Sequence, residues 1–169
     1  MDVTRDLHYD ADVAAVVALL ISPDFQRRRA EAAHALGSNA SVEPADATAD
    51  SPSITVSSVQ QLPTERVPDF VRSFIGTSID LNETTRWGPP EADGAREAQV
   101  RITVAGAPVT ITARRRLVPE GPHATKETVR GRITASIPFV GRRVEGVIEP
   151  IVMTSLESDE RLAAQHFGT

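Results

Sequence analysis

The chain has 169 residues, no cysteine and a formal net charge of −5. This length suits a single domain, residues 1–169, with a core of its own. The acidic balance argues against nucleic acid as a partner, and no apolar run is long enough to make the protein an integral membrane protein. Because the first residues also lack a basic start followed by an apolar segment, we expect a soluble, cytoplasmic protein.

The first third of the chain predicts one strand and two short helices. Residues 3–9 alternate apolar and polar side chains, as a strand with one buried face does. Asp10 is placed to cap a helix whose apolar residues recur at helical spacing: Val13, Val16, Val17 and Leu20. Ser22, followed by a proline, caps a second helix that Gly37 is expected to end. The inner face of this second helix is predicted to contain Phe25, Ala32 and Leu36.

The middle of the chain predicts three strands and a short helix between loops. A small and polar stretch leaves room only for a short strand over residues 40–43. Residues 54–62 and 78–87 alternate clearly and predict two longer strands. Between them, residues 69–75 predict a helix of one or two turns that Gly76 closes.

The most regular part of the chain follows and predicts a continuous antiparallel sheet. Residues 98–104 and 109–117 alternate on either side of a glycine- and proline-containing turn, which predicts a long hairpin. Residues 129–137 predict the final strand. Counting along both connections places two sets of residues on the same face: Val100, Ala113 and Gly131, and Val104, Val109 and Ala135.

Residues 137–167 predict one long C-terminal helix that Pro138 opens. Its apolar stripe recurs at three- and four-residue steps: Val140, Val144, Val147, Ile148, Ile151, Ser155 and Leu162. A helix of this length would be about 40 Å long and must lie across a broad surface. Gly146 and Pro150 weaken the helical hydrogen bonding, so a bend is expected between them.

The order of one strand, two short helices, a run of antiparallel strands and one long helix matches the α+β helix-grip arrangement. Local sequence signatures accompany it: Ser22-Pro23-Asp24-Phe25, the connection from Leu62 to Gly76, Trp87-Gly88, and Pro138-Phe139-Val140-Gly141. The chain therefore resembles the START-like (SRPBCC) superfamily of polyketide cyclases and birch-pollen-allergen-like proteins. It is most similar to an actinobacterial branch, domain of unknown function family 2505. The resemblance implies a curved sheet of six or seven strands and a cavity, but no functional residue.

A sheet curled around a helix encloses space that side chains must fill or leave open. Aromatic residues make up only 4% of the chain, so bulk to fill a large interior is scarce. We therefore expect a ligand cavity between the sheet and the C-terminal helix, although a sheet that packs shut onto the helix is the alternative. The predicted lining residues are Leu81, Glu83, Trp87, Val100, Ile102, Ile111, Ala113, Arg115, Ile133, Val144, Val147, Ile151 and Ser155.

Two charged residues, Glu83 and Arg115, fall on the inward face in this register. Buried charges are paired or neutralised, so we expect the two to contact each other directly or through water. Such a pair would give an apolar cavity one polar end that could anchor a ligand's head group. The alternative is a salt bridge at the rim of the sheet, or a shifted register that places both residues in water.

No motif for catalysis, metal binding or cofactor binding is present in the sequence. The four histidines, His8, His34, His123 and His166, are scattered and lack metal-ligand spacing. There is no phosphate-binding glycine loop and no serine nucleophile elbow, so neither a cofactor nor a catalytic residue is expected. The arginine triplets 27–29 and 114–116 are split by periodicity between different faces, so neither forms a basic stripe.

These observations predict a binding protein for a hydrophobic or amphipathic small molecule, such as a lipid, a sterol or a polyketide-like compound. Phe70 and Phe74 are expected to cover the mouth of the cavity, within a gating segment at residues 63–76. An aromatase/cyclase-type enzyme that uses the same cavity is one alternative. A protein-interaction module without a ligand is another, and the sequence leaves the ligand's identity and the oligomeric state open.

Overall fold

The computed structural model describes residues 1–168, so residue 169, which the single-domain prediction includes, lies outside the described residues. Strand β1 (Asp2–Tyr9) is followed by helices α1 (Val13–Leu20) and α2 (Pro23–Ala32) and then by strands β2 (Gly37–Glu43) and β3 (Ile54–Pro63). Helix α3 (Asp69–Ile75) precedes strands β4 (Ser78–Trp87), β5 (Arg96–Val104), β6 (Val109–Pro119) and β7 (Thr125–Ala135). The long helix α4 (Gly141–Phe167) completes the fold.

The seven strands form one antiparallel sheet in the order β1-β7-β6-β5-β4-β3-β2. The predicted register is confirmed, because Val100 pairs with Ala113, and Ala113 pairs with Gly131. Side chains alternate between an inner face, which the helices cover, and an outer face. The sheet, the two short helices after the first strand and the long last helix together give the predicted helix-grip architecture.

The largest apolar cluster lies at one end of the inner face. There α1 and α2 pack on the sheet together with Leu156, Ala163 and Phe167 from the second half of α4. Two smaller clusters hold the first half of α4, one around Val144 and one that contains Ile148 and Val152. Both ends of α4 are therefore anchored in packed apolar side chains.

Local chemistry explains the helix starts, and one prediction there is wrong. Asp12, and not Asp10, caps α1, because its side chain accepts a hydrogen bond from the amide of Ala15. Ser22 caps α2 as predicted by accepting from the amide of Phe25. An aspartate at position 12 reaches the first helical turn, whereas position 10 still belongs to the end of the strand region.

The predicted end of α2 is also wrong. The helix stops at Ala32, and His34 adopts a positive φ of 55°, so the chain turns three residues before Gly37. Leu36 is 65% exposed and not part of an inner face, and its amide donates to the carbonyl of Gln61. The segment before Gly37, which periodicity assigned to the helix, therefore pairs with β3 instead.

Two further boundaries near the C-terminus differ from the predictions. Strand β7 begins at Thr125 and ends at Ala135, so it starts four residues earlier than predicted. Helix α4 begins at Gly141, and residues 138–140 form a turn in which Phe139 has a positive φ of 66°. Pro138 therefore precedes the helix by a full turn. Within the described residues, no helix is both long and apolar enough to cross a membrane.

Candidate functional site

One edge of α4 is packed at both ends but exposed in the middle, beside Ile148 and Val152, which pack on the sheet. Ile151 and Ser155 lie on the same side of the helix as Val144 and Leu162, since residues seven or eleven apart return to nearly the same angle around a helix. Val144 is buried and Leu162 packs against the main core, yet Ile151 is 52% exposed and Ser155 is also exposed. Solvent therefore reaches this side of α4 between its two anchored ends.

The strands beside this stretch are incompletely covered too. Leu81 pairs with Val104, and Ile102 lies two residues before Val104 on the same face. All three side chains are only half-buried. Val104 shares an apolar cluster with Val147, which places this part of the sheet next to the same side of α4. We call the incompletely covered surface formed by Leu81, Ile102 and Val104 of the sheet and by Ile151 and Ser155 of α4 the helix–sheet gap.

The other residues that were predicted to line a cavity lie around this gap. The sheet residues among them all occupy inner-face positions in the observed register. Ala113 and Val147 are half-buried, whereas seven are buried: Glu83, Arg115, Trp87, Val100, Ile111, Ile133 and Val144. Of the five apolar residues among these, Trp87, Ile111, Ile133 and Val144 belong to the packed apolar clusters. Fewer residues are therefore exposed in the interior than the predicted lining contains.

A buried charge cluster lies at one end of the gap. It consists of Tyr9, Arg29, Glu83, Arg115, Glu127 and Asp159. Glu83 pairs directly with Ile102 across the sheet, and Asp159 follows Ser155 by one turn of α4. The charge cluster and the helix–sheet gap are therefore continuous along both the sheet and the helix.

Arg29 of α2 bridges two of the carboxylates. Its Nε donates to Oδ1 of Asp159 at 2.9 Å, and its Nη1 approaches Oε1 of Glu83 at 3.3 Å. Gln26, one turn earlier on α2, accepts from Nη1 at 3.0 Å. One arginine thus connects α2, β4 and α4.

Arg115 of β6 pairs with the third carboxylate. Its Nε and Nη2 both donate to Glu127 of β7, the second at 3.1 Å to Oε2. The hydroxyl of Tyr9 donates to the same Oε2 at 2.5 Å. Trp87 supports the guanidinium from the other side, with its ring centroid 6.0 Å from Cζ.

Burial moves the pKa values in the cluster in different directions. Burial raises the pKa of Asp159, although Arg29 and Arg115 oppose the shift. Burial would raise the pKa of Glu83 as well, but the charge and hydrogen bonds of Arg29 outweigh it, so that pKa is lowered. Burial and the neighbouring Glu127 carboxylate raise the pKa of Tyr9 well above its ordinary value.

The cluster is short of positive charge. Arg29 and Arg115 face three carboxylates, so the cluster carries one net negative charge when all three are ionised. Among residues 1–168, Oδ2 of Asp159 is the one buried side-chain polar atom that lacks a hydrogen-bond partner. This site can therefore accept a hydrogen bond from a donor, or hold a proton itself.

The predicted contact between Glu83 and Arg115 is not made, although both side chains are buried and point inward. Each has a different partner, Arg29 and Glu127 respectively. Glu83 and Arg115 instead border the same enclosed cavity of about 10 Å³, which has room for about one water molecule. The polar end of the interior therefore contains more residues than the predicted pair.

Sequence reasoning overlooked three members of the cluster, Arg29, Glu127 and Asp159, and two of them carried a usable signal. Asp159 continues the inward stripe of α4 one turn after Ser155, and Glu127 alternates with the inward Val129. Arg29 had no such signal, because its role depends on how α2 packs against α4.

The predicted entrance residues both lie on α3, and Phe70 contacts α4. Phe70 is half-buried, and the Arg143 guanidinium lies 3.9 Å from the centroid of its ring. Phe74 is 53% exposed. Val71 is the residue of α3 that packs into the cluster around Val144. Helix α3 is therefore held against the start of α4 by one apolar and one cation–π contact.

Comparisons with known proteins agree with this architecture. The family described as "Protein of unknown function (DUF2505)" matches residues 4–166. No curated protein matches the sequence. A START superfamily protein from Mycobacterium smegmatis has a similar structure, with a TM-score of 0.56 and 14% identity over 97% of each chain.

Two enzymes also have similar structures. The Zhui aromatase/cyclase from Streptomyces sp. R1128 gives a TM-score of 0.55 and 12% identity, covering 99% of this chain and 95% of its own. Norcoclaurine synthase from Thalictrum flavum, in complex with dopamine and hydroxybenzaldehyde, gives 0.53 and 10%, covering 98% and 87%. At these identities the likeness shows a shared START-like fold.

Proposed function

The chain belongs to the DUF2505 family, and from this premise we propose that it binds an amphipathic small molecule in the helix–sheet gap. The apolar part of the ligand lies on Leu81, Ile102 and Ile151, and its polar end meets the buried charge cluster. The observation that carries the proposal is the exposure of Ile151 and Ser155 on a side of α4 that is packed at both ends.

The charge cluster narrows the class of ligand. Its net negative charge and the unpartnered Oδ2 of Asp159 favour a polar group that donates a hydrogen bond, such as a hydroxyl or an amine. A carboxylate at the same place would be repelled by Asp159 and Glu83. The START-like fold, which is shared with proteins that hold small molecules such as dopamine, supports the same class.

Thermal unfolding with three probes tests the proposal. Cholesterol and the phenolic polyketide emodin offer hydroxyl donors, whereas palmitic acid offers a carboxylate. We expect at least one of the first two probes to raise the melting temperature, and palmitic acid to have less effect. Mass spectrometry of protein purified without detergent is expected to detect a co-purified small molecule.

A matched pair of variants locates the site. Ser155→Trp places a large side chain in the gap and is expected to abolish the thermal shift. Thr154→Trp adds the same side chain about 100° away around the helix and is expected to preserve it. Equal effects of the two variants, or the absence of any shift and of any co-purified molecule, would overturn the proposal. A shift with palmitic acid alone would overturn the donor requirement.

A second candidate function, acid–base catalysis in the same gap, is favoured by the state of Asp159. Because burial raises the pKa of Asp159, this carboxyl keeps its proton to a higher pH than an ordinary aspartate does and can serve as a general acid. Incubation with dopamine and hydroxybenzaldehyde, the compounds bound to norcoclaurine synthase, tests it by chromatography of a condensation product. Product that disappears in Asp159→Asn, while that variant stays folded, supports catalysis, and no product above the uncatalysed rate contradicts it for these compounds.

A further inference from the structure

The outer face of the sheet, on the opposite side from α4, contains a hollow of about 710 Å³. Five arginines from four strands surround it: Arg86, Arg101, Arg114, Arg130 and Arg132. We call this surface the arginine face. It is separate from the helix–sheet gap, because these side chains alternate with the inward ones along each strand.

Strand register brings the five side chains together. Arg130 pairs directly with Arg114 across β6 and β7, and Arg114 pairs with Gln99 of β5. Gln99 in turn pairs with Arg86 of β4. Directly paired residues have Cβ atoms about 5 Å apart. One row across the sheet therefore contains three arginines and an amide.

A second row lies two residues away along the same face. Arg132 of β7 pairs with Thr112 of β6, which pairs with Arg101 of β5. Thr112 and Gln99 both line the hollow between the arginines. The surface thus combines guanidinium groups with hydroxyl and amide donors.

Most of this positive charge is not neutralised within the protein. Arg132 pairs with Asp2 at 2.7 Å and Arg114 with Glu97 at 2.8 Å. Among residues 1–168, no carboxylate lies within salt-bridge distance of Arg86, Arg101 or Arg130. Asp2 is the single acidic residue of the lining, although the whole chain has a net charge of −5. The local charge is therefore opposite to that of the molecule.

This arrangement is unfavourable for an empty sheet surface. Like charges placed directly opposite each other, as Arg114 and Arg130 are, destabilise a strand pair. Exposed strand positions accept threonine or serine without any such repulsion. The stability of the fold therefore does not account for these arginines.

We propose that the arginine face binds a soluble small molecule carrying two or more phosphate groups. Guanidinium forks bind phosphate oxygens through paired, charge-assisted hydrogen bonds, and a polyphosphate group can contact several of them at once. The hollow has the size of an ordinary small-molecule site. The inference does not depend on the proposed function of the helix–sheet gap.

The residues that line the arginine face argue against two macromolecular partners of basic surfaces, namely single-stranded nucleic acid and a membrane. It contains no aromatic side chain on which bases could stack, as single-stranded nucleic acid requires. Its apolar residues, Val3, Val100 and Ala113, direct their side chains to the inner face, so none is available to enter a membrane. A compact polyanion is the occupant that fits.

Isothermal titration calorimetry with inorganic triphosphate at low salt tests the proposal. We expect binding with a stoichiometry of one. In the double variant Arg101→Gln/Arg130→Gln, affinity is expected to fall by roughly 100-fold, because each charge-assisted contact contributes about a factor of ten. The control Arg66→Gln/Arg161→Gln removes the same charge from two exposed arginines outside the hollow and is expected to leave the affinity unchanged.

Thermal unfolding separates lost binding from lost folding. Without ligand, the Arg101→Gln/Arg130→Gln variant is expected to melt at or above the wild-type temperature, because it loses only repulsive charges. Triphosphate is expected to stabilise the wild type and not this variant. An absence of binding at millimolar triphosphate, or equal weakening in the control variant, overturns the proposal. So does binding to phosphatidylserine vesicles or to single-stranded oligonucleotide without any binding of triphosphate.

Discussion

The pKa values of Asp159 and Glu83 are shifted in opposite directions, although both carboxyls are buried and the same arginine contacts both. Glu83 has Arg29 as its ion-pair partner and also lies near the hydroxyl of Thr85, so its charged form is favoured. Asp159 shares Arg29 through one oxygen and leaves the other without a partner, so burial dominates its pKa. The difference between the two residues lies in hydrogen bonding rather than in depth.

Asp159→Asn is expected to remove a destabilising ionisation. The native pKa of this carboxyl is raised, so the native state binds the proton more tightly than the unfolded chain does. Stability is therefore lost as pH rises from the ordinary aspartate value through the raised one, whereas asparagine undergoes no such loss. Relative to wild type, the variant should gain on the order of 1 kcal/mol of unfolding free energy as the pH rises above the ordinary aspartate pKa, as measured by urea unfolding at a series of pH values.

Glu83→Gln provides the contrast. Because the native pKa of Glu83 is lowered, its ion pair stabilises the protein above the ordinary glutamate pKa, and this stability is lost as pH falls through the lowered value. The variant should lose about 2 kcal/mol at neutral pH and less in acid. The same pH trend in both variants would contradict the assignment of charge within the cluster.

At the scale of elements, the start of α4 is fixed against the end of β7. The amide of Ala135 donates to Glu145 on the first turns of α4 at 3.0 Å. A Cβ atom placed on Gly141 would clash with the carbonyl oxygen of Ala135. The helix begins at a glycine because the strand backbone leaves no room for a side chain there.

Two glycine substitutions in α4 should have opposite effects. Gly141→Ala is expected to cost about 2 kcal/mol or more, because the first turn must move away from β7. Gly146→Ala meets no atom closer than 3.8 Å and should gain about 0.5–1 kcal/mol from helix propensity. Guanidinium unfolding of both variants measures the difference. Destabilisation by Gly146→Ala would show that this position is more constrained than its surroundings indicate.

The elements were predictable wherever one local signal acted alone. The alternation around Val100 and Val109 and the serine cap at Ser22 specified their elements correctly. The end of α2 was not predictable, because pairing of Leu36 with β3 competes with helical periodicity and depends on residues far along the chain. Only part of the charge cluster was predictable from the sequence, because Arg29 joins the cluster through the packing of α2 against α4.

At the scale of the whole molecule, the sheet separates two surfaces of different chemistry. The inner face combines an apolar gap with a buried charge cluster, and the outer face exposes unneutralised arginines. The arginine face was not visible in the sequence, because its residues come from four strands and meet only through register. A search for consecutive basic residues finds the triplets 27–29 and 114–116, of which only Arg114 belongs to this surface.

Salt should distinguish the two faces. Raising the ionic strength from about 0.05 M to about 0.5 M is expected to weaken triphosphate binding at the arginine face severalfold or more, because exposed charges are screened. Binding of cholesterol or emodin in the helix–sheet gap should change little over the same range, since the charges there are buried. Titration of each probe at both ionic strengths measures this. Equal sensitivity would indicate that both probes occupy one surface.

The pairing of a negative interior with a positive exterior makes the sheet an electrically polarised layer. Only one thickness of backbone separates the outer Arg114 from the inward Arg115, and therefore from the carboxylates grouped around it. By Coulomb's law, positive charge on the outer face attracts negative charge in the interior. A polyanion that neutralises the outside would make a buried carboxyl such as Asp159 harder to ionise. Occupancy of one face would thereby adjust the acidity of the other without any movement of the chain.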